Sequence, residues 1–127
     1  HLQAGQPFAA DEWQDFLGDV AELGLTIEVT ELDVNDRALP ADPAARDAGS
    51  ADLVRRFLEA TVAQPAVKAV LTWGLSDRHS WVQAGRLPEH SRRDNARARP
   101  LPFDEVMRRK PMWHAIAIAF DGAPSRA

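Results

Sequence analysis

Cysteine is absent from the 127 residues, which excludes disulfide frameworks and thiolate metal sites but leaves the redox compartment open, since secreted proteins also do without it. No apolar run approaches the roughly 18 residues of a membrane-spanning helix, and neither a charged and apolar leader nor an initiating Met precedes His1. Such a start is expected of a processed chain or a piece of a longer one. Neither sign of charge dominates: 15 Lys and Arg stand against 19 Asp and Glu, so no net electrostatic drive toward nucleic acid or anionic lipid exists. Internal repeats and low-complexity tracts are missing. So are a Gly-rich phosphate loop and a G-x-S-x-G turn. His79, His90 and His114 lack metal-ligand spacing, and "DVND" at 33–36 lacks the glycine of a calcium loop. No metal is expected.

What remains is a chain with 45% hydrophobic residues, enough for one globular unit. From Asp11, a candidate N-cap, Trp13, Phe16, Leu17, Val20 and Leu23 recur at helical spacing, and Gly24 is a natural stop. Leu25 to Thr30 then reads as a buried strand. Asn35 to Gly49 reads as a long loop, rich in prolines and small residues. Ser50 is expected to cap a second helix with Leu53, Val54, Phe57, Leu58, Thr61 and Val62 on one face, ended by Pro65. Ala66 to Trp73 is a second apolar strand, followed by a long irregular stretch. Pro111 opens a last helix with Trp113, Ile116, Ala117 and Phe120 on its buried side.

Apolar strands alternating with amphipathic helices imply parallel βα units, yet too few for closure: a (β/α)₈ barrel takes about 250 residues. The expectation is an α/β fold, the C-terminal part of a TIM barrel. In such barrels the active site lies at the C-terminal ends of the strands. "TIEVTELDV", Thr26 to Val34, ends an apolar run on Glu31 and Asp33, and a pleat of period two would set both carboxylates with Ile27 and Val29 on one side. Strand-end carboxylates also simply solvate loops. Two tryptophans tip the balance: Trp73 closes the second strand and Trp81 follows in the loop, and flat indole faces cover the C–H surfaces of pyranose rings.

With these residues in view, "VTELDV" at 29–34, "LTWGLSDRHSW" at 71–81, "RPLPFDE" at 99–105 and "KPMWHAIAIAF" at 110–120, in that order after His1, resemble the C-terminal part of a glycoside hydrolase family 10 endo-1,4-β-xylanase. The resemblance implies a barrel from the end of strand six through strand eight over residues 1–121, with a tail at 122–127. It implies Glu31 as catalytic nucleophile, His1 and Asp33 as the network that orients it, and Trp73 and Trp81 as walls of the sugar site. Arg78 falls where the family often has a basic residue, and is a candidate substrate contact. By the same resemblance no cofactor is needed, the substrate is xylan or xylo-oligosaccharide, and the protein is a secreted or periplasmic monomer with no nucleic-acid or membrane partner.

A retaining glycosidase needs two carboxyl groups about 5 to 5.5 Å apart. The family's acid/base residue is a glutamate preceded by asparagine, and no Asn-Glu pair occurs here. Asp33, two residues from Glu31 on one strand end, approaches from the wrong side to replace it. The fragment alone is therefore expected to be inactive, with a truncated, non-catalytic sugar-binding chain, or a barrel acting on another β-glycan or short xylo-oligosaccharides, as alternatives. The stretch from Arg86 to Lys110 holds eight Lys or Arg residues. It is interrupted by acids and has Phe103 as its only aromatic residue, so it reads as a solvated rim rather than a nucleic-acid surface. A secondary idea has Arg92 and Arg93 meeting acidic branches of xylan.

Overall fold

A computed structural model describes residues 1–84 and 91–125. His90 and the start of the basic stretch lie outside these residues. Strand β1 (Leu2–Gln3) leads through helix α1 (Ala10–Glu22) to β2 (Ile27–Leu32) and, after Asp33, β3 (Val34–Asn35). Helix α2 (Pro43–Val62), strand β4 (Val67–Thr72) and helix α3 (Pro111–Asp121) complete the order. β1 pairs with β3 and β2 with β4, both in parallel, as strands joined through helices must. The strand expected over Leu25 to Thr30 is β2, which runs on to Leu32, so Glu31 lies within it.

The core forms where the helices lie on the strands: Ala4, Leu32 and Val34 meet Leu53, Val54, Phe57 and Leu58 of α2 and Met112 and Ala119 of α3. The apolar face expected of α2 is buried throughout. Trp13 fastens α1 to α2, donating its indole N–H to Thr61 Oγ1 at 2.8 Å. The opposite side of the strands is partly open, and Leu71 of β4 is half exposed.

Several boundaries differ from expectation for identifiable reasons. The N-cap of α1 is Ala9, which makes no side-chain cap, and Asp11 sits in the first turn, where a carboxylate favours the helix dipole. Phe16 and Leu23 of the expected face are largely exposed, while Leu17 is fully buried. Ser50 is no cap. Helix α2 starts two turns earlier, with Asp42 accepting the N–H of Ala45 at 2.8 Å and Pro43 at the first helical position. A proline there loses nothing, because that N–H would be unbonded anyway. The early turns hide from a hydrophobic pattern because they bury Arg46, Asp47 and Ser50 rather than apolar residues. Gly49 belongs to them, and a Cβ on it would meet Leu39 at 3.0 Å. On α3 the buried stripe is Met112, Ala115 and Ala119, with Phe120 exposed, a one-residue rotation from expectation.

Candidate active site

Three backbone segments bring the site together. Leu2 N–H bonds Asp33 C=O at 2.9 Å, and Trp73 N–H bonds Leu32 C=O at 3.0 Å. The ends of β1, β2 and β4 are thus held side by side, with His1, Glu31, Asp33 and Trp73 at one mouth. Pairing between β2 and β4 slips between Val29 and Leu32. Val29 and Leu32 both pack against the core, although an unbroken pleat would place residues three apart on opposite faces. The irregularity is a bulge, and bulges re-aim side chains. Burial alternates from Ile27 through Val29 to Glu31, in line with the expected pleat, and breaks at Leu32, which is buried against the helices while Glu31 meets the imidazole.

The ring of His1 lies between two carboxylates, Nε2 at 2.8 Å from Glu31 Oε2 and Nδ1 at 2.8 Å from Asp33 Oδ1. A neutral imidazole carries one N–H; only the imidazolium donates to both. Asp33 is 1% exposed and Glu31 44%, so one carboxylate is structural in its surroundings and the other open to a ligand. Trp81 donates its indole N–H to Asp33 Oδ2 at 2.6 Å and lies against the His1 ring at 4.9 Å between centroids. Trp73 meets the same ring edge-on at 6.4 Å and is 46% exposed. Five of the six residues singled out in the sequence therefore converge. Arg78 sits exposed on the short 3₁₀ helix Asp77–His79 between the two tryptophans, its backbone N–H on Ser76 Oγ. It joins none of the hydrogen bonds of this cluster.

The Trp81 segment is fixed by a buried ionic network that sequence reasoning missed. After Trp73 the chain turns at Gly74, whose φ of 113° suits glycine and whose missing Cβ admits Leu101. Asp77 then anchors the connection: its carboxylate accepts Leu101 N–H at 2.9 Å and Lys110 Nζ at 2.9 Å, and Lys110 also donates to the carbonyls of Arg99 and Leu101. Asp77 and Lys110 are 1% and 3% exposed. Burial pushes the Asp77 carboxyl above its ordinary range, opposed by the Lys110 charge. Gln83 bonds the backbone of Asp77 and Ala98. Arg99 forks onto Asp47 with two bonds of 2.7 Å, and Arg46 reaches Asp36.

The described part of the basic stretch is a solvated rim only in part, with Arg93, Arg97, Arg108 and Arg109 exposed. Arg92, Arg99 and Lys110 turn inward and tie the irregular chain to α2 and to the loop after β3. Arg92 is fully engaged, donating to the carbonyls of Asp36, Leu39 and Pro40 and to Asp94, which removes it as a contact for xylan branches. The only sequence signal was negative: acids and bases scattered through proline-rich chain, without the periodicity of an exposed helix.

The family description "Glycosyl hydrolase family 10" matches residues 1–119. Endo-1,4-beta-xylanase B of Thermotoga neapolitana is 35% identical over 98 residues, covering 76% of this chain and 25% of that protein. Native xylanase 10B from Thermotoga maritima superposes with a TM-score of 0.77 at 26% identity, over 94% of this chain and 34% of its own. Xylanase 10B from Thermotoga petrophila RKU-1, solved with xylobiose, gives 0.78 at 27% identity, over 95% of this chain and 34% of its own. The chain thus spans about a quarter to a third of the length of these relatives. It belongs to glycosyl hydrolase family 10 and forms part of that family's TIM barrel.

Proposed function

We propose that the protein containing this chain is an endo-1,4-β-xylanase that hydrolyses xylan with retention, using Glu31 as nucleophile. The observation that carries this reading is the imidazole of His1 clamped between Glu31 and Asp33 beneath two indoles. In double displacement, Glu31 attacks the anomeric carbon while an acid glutamate protonates the departing oxygen. Water, deprotonated by that same second residue, then attacks the anomeric carbon and frees the Glu31 carboxylate. His1 Nε2 stands 2.8 Å from the attacking carboxylate, and Asp33 fixes the ring that faces it. Trp73 and Trp81 offer flat apolar faces to the pyranose, and Arg78 lies at the rim between them. No step calls for a cofactor.

The acid/base glutamate lies upstream in this reading, since the 127 residues hold no Asn-Glu pair; the chain by itself is then without turnover. Support for the substrate comes from the xylanase relatives and from the xylobiose bound to the T. petrophila enzyme. The same reading makes the protein a secreted or periplasmic monomer. A second reading, a non-catalytic sugar-binding fragment, draws on the exposure of Trp73, which leaves a stacking surface without the acid.

Treating the upstream-extended protein with a fluorinated xylobioside tests the assignment. The expected result is a covalent adduct on the peptide containing Glu31, with loss of activity on the order of 10⁴-fold or more for Glu31→Ala. An adduct on another side chain overturns it. Binding without hydrolysis by the extended protein would favour the second reading, and preference for another β-glycan would change the substrate while keeping the barrel.

A further inference from the structure

Two residues beyond Trp81, on the 3₁₀ helix Trp81–Ala84, Gln83 is a half-buried polar side chain that the reaction above does not use. Its amide serves three backbone groups. Nε2 donates to the carbonyls of Asp77, at 3.2 Å, and of Ala98, while Oε1 accepts the N–H of Ala98 at 3.2 Å. The side chain thus exchanges two bonds with Ala98, as facing residues of an antiparallel ladder do. We infer that Gln83 is a positioning residue for Glu31, acting through Trp81, Asp33 and His1. The inference rests on the xylanase reading of the preceding section.

Hydrogen bonds run from Gln83 in both directions. On one side, Ala98 lies between two residues tied to the buried network. Arg97 C=O accepts Arg46 Nη1 at 3.0 Å, and Arg99 donates its N–H to Asp36 Oδ2 at 3.1 Å while its guanidinium forks onto Asp47. Arg46 and Asp36 are both buried, so Ala98 has little freedom to shift. On the other side, Trp81 Nε1 lies 2.6 Å from Asp33 Oδ2, Asp33 Oδ1 2.8 Å from His1 Nδ1, and His1 Nε2 2.8 Å from Glu31 Oε2. The helix carrying Trp81 starts on Ser80, whose Oγ accepts Val82 N–H at 3.2 Å and whose C=O accepts Gln83 N–H at 3.1 Å. The bonds of a single 3₁₀ turn have poor geometry and hold an indole loosely by themselves. Gln83 adds the constraint, carrying the fixed place of Ala98 over to the indole that orients Asp33. Displacement at the anomeric carbon is sensitive to such remote alignment, since a shift of about 1 Å costs on the order of 10²-fold in rate.

The test is a double-mutant cycle on the upstream-extended protein, run well below the melting midpoint of every variant. Its readout is the first-order rate at which a dinitrophenyl 2-fluoro-xylobioside labels Glu31, which follows nucleophilic attack directly. Gln83→Met keeps the length of the side chain and removes its donors and acceptor; labelling should slow about three- to tenfold, the range of one neutral hydrogen bond. Gln83→Glu keeps an acceptor for Ala98 N–H but sets oxygen against two carbonyls, and should slow it at least as much. In a Trp81→Phe background, where the indole N–H is gone, Gln83→Met should change the rate by about twofold or less, the scatter of uncoupled sites. An equal slowing in both backgrounds overturns the inference, since Gln83 would then act by another route. So does a wild-type labelling rate in Gln83→Met or Gln83→Glu, and if the melting midpoint alone falls, the side chain is a structural clamp only. Labelling of a residue other than Glu31 in the wild type brings down the nucleophile assignment, a failure separate from that of the cycle.

Discussion

The indole N–H of Trp81 ends on the carboxylate of Asp33, 48 residues away, at 2.6 Å. Because the other oxygen of that carboxylate faces His1 Nδ1, one buried acid holds both the sugar-stacking wall and the ring that faces Glu31. Asp33→Asn keeps the shape but offers one acceptor where two donors converge. In the upstream-extended protein kcat should fall on the order of 10- to 100-fold with a smaller change in KM, the range of one or two hydrogen bonds to a charged group. Steady-state kinetics on xylohexaose checks this, and equal changes in kcat and KM would place Asp33 outside the nucleophile's support.

Lys110→Met should be among the most damaging substitutions outside the site. It leaves the buried Asp77 carboxylate without its cation and strips two carbonyls of their donor. Breaking one side of a buried ion pair typically costs about 3 to 5 kcal/mol, whereas replacing both partners by apolar groups costs far less. The urea midpoint should therefore drop sharply for Lys110→Met and recover only in part in the double variant Lys110→Met with Asp77→Leu, where the Arg99 and Leu101 carbonyls and the Leu101 N–H stay without these partners.

The two ends of the capping question separate cleanly by mutation. Asp42→Ala removes the cap of α2 and should cost about 1 kcal/mol. Ser50→Ala, at the position where a cap was expected, removes a buried hydroxyl that has no hydrogen-bond partner among the described residues and should be close to neutral. Thermal melting monitored by circular dichroism distinguishes them.

Acid should loosen the segment around Arg92 only at the low end of the acid range. The Asp94 carboxyl is held at about 2, below its usual 3.8, so its stabilising contribution is complete above the unfolded value and fades as pH falls through the folded one. The stability difference between wild type and Asp94→Asn should shrink toward zero between about pH 4 and pH 2. Asp77 has the opposite sign: burial raises its carboxyl, so its contribution favours the folded state at low pH and is lost as pH rises through the raised value.

Much of this was legible in the chain. The βα alternation, the apolar face of α2 and the strand-end position of Glu31 follow from periodicity, and the cluster of His1, Asp33, Trp73 and Trp81 followed from resemblance. What stayed hidden has a common cause. The first turns of α2 and the stretch around Arg92, Arg99 and Lys110 are buried through charge pairing, and neither hydropathy nor spacing distinguishes a paired interior arginine from a solvated one. The bulge between Val29 and Leu32 was invisible for another reason: pairing with a distant strand sets it, not the local sequence.

That bulge makes strand length the most sensitive dimension of the molecule. Deleting or inserting a single residue between Ile27 and Glu31 would exchange inside for outside, presenting Thr30 or Leu32 to the imidazole and driving the carboxylate toward the apolar layer beneath the helices. Comparable length changes in the turn from Arg37 to Ala41 would leave the direction of Glu31 untouched, so natural or designed variants should differ in the loop and agree to the residue along the strand.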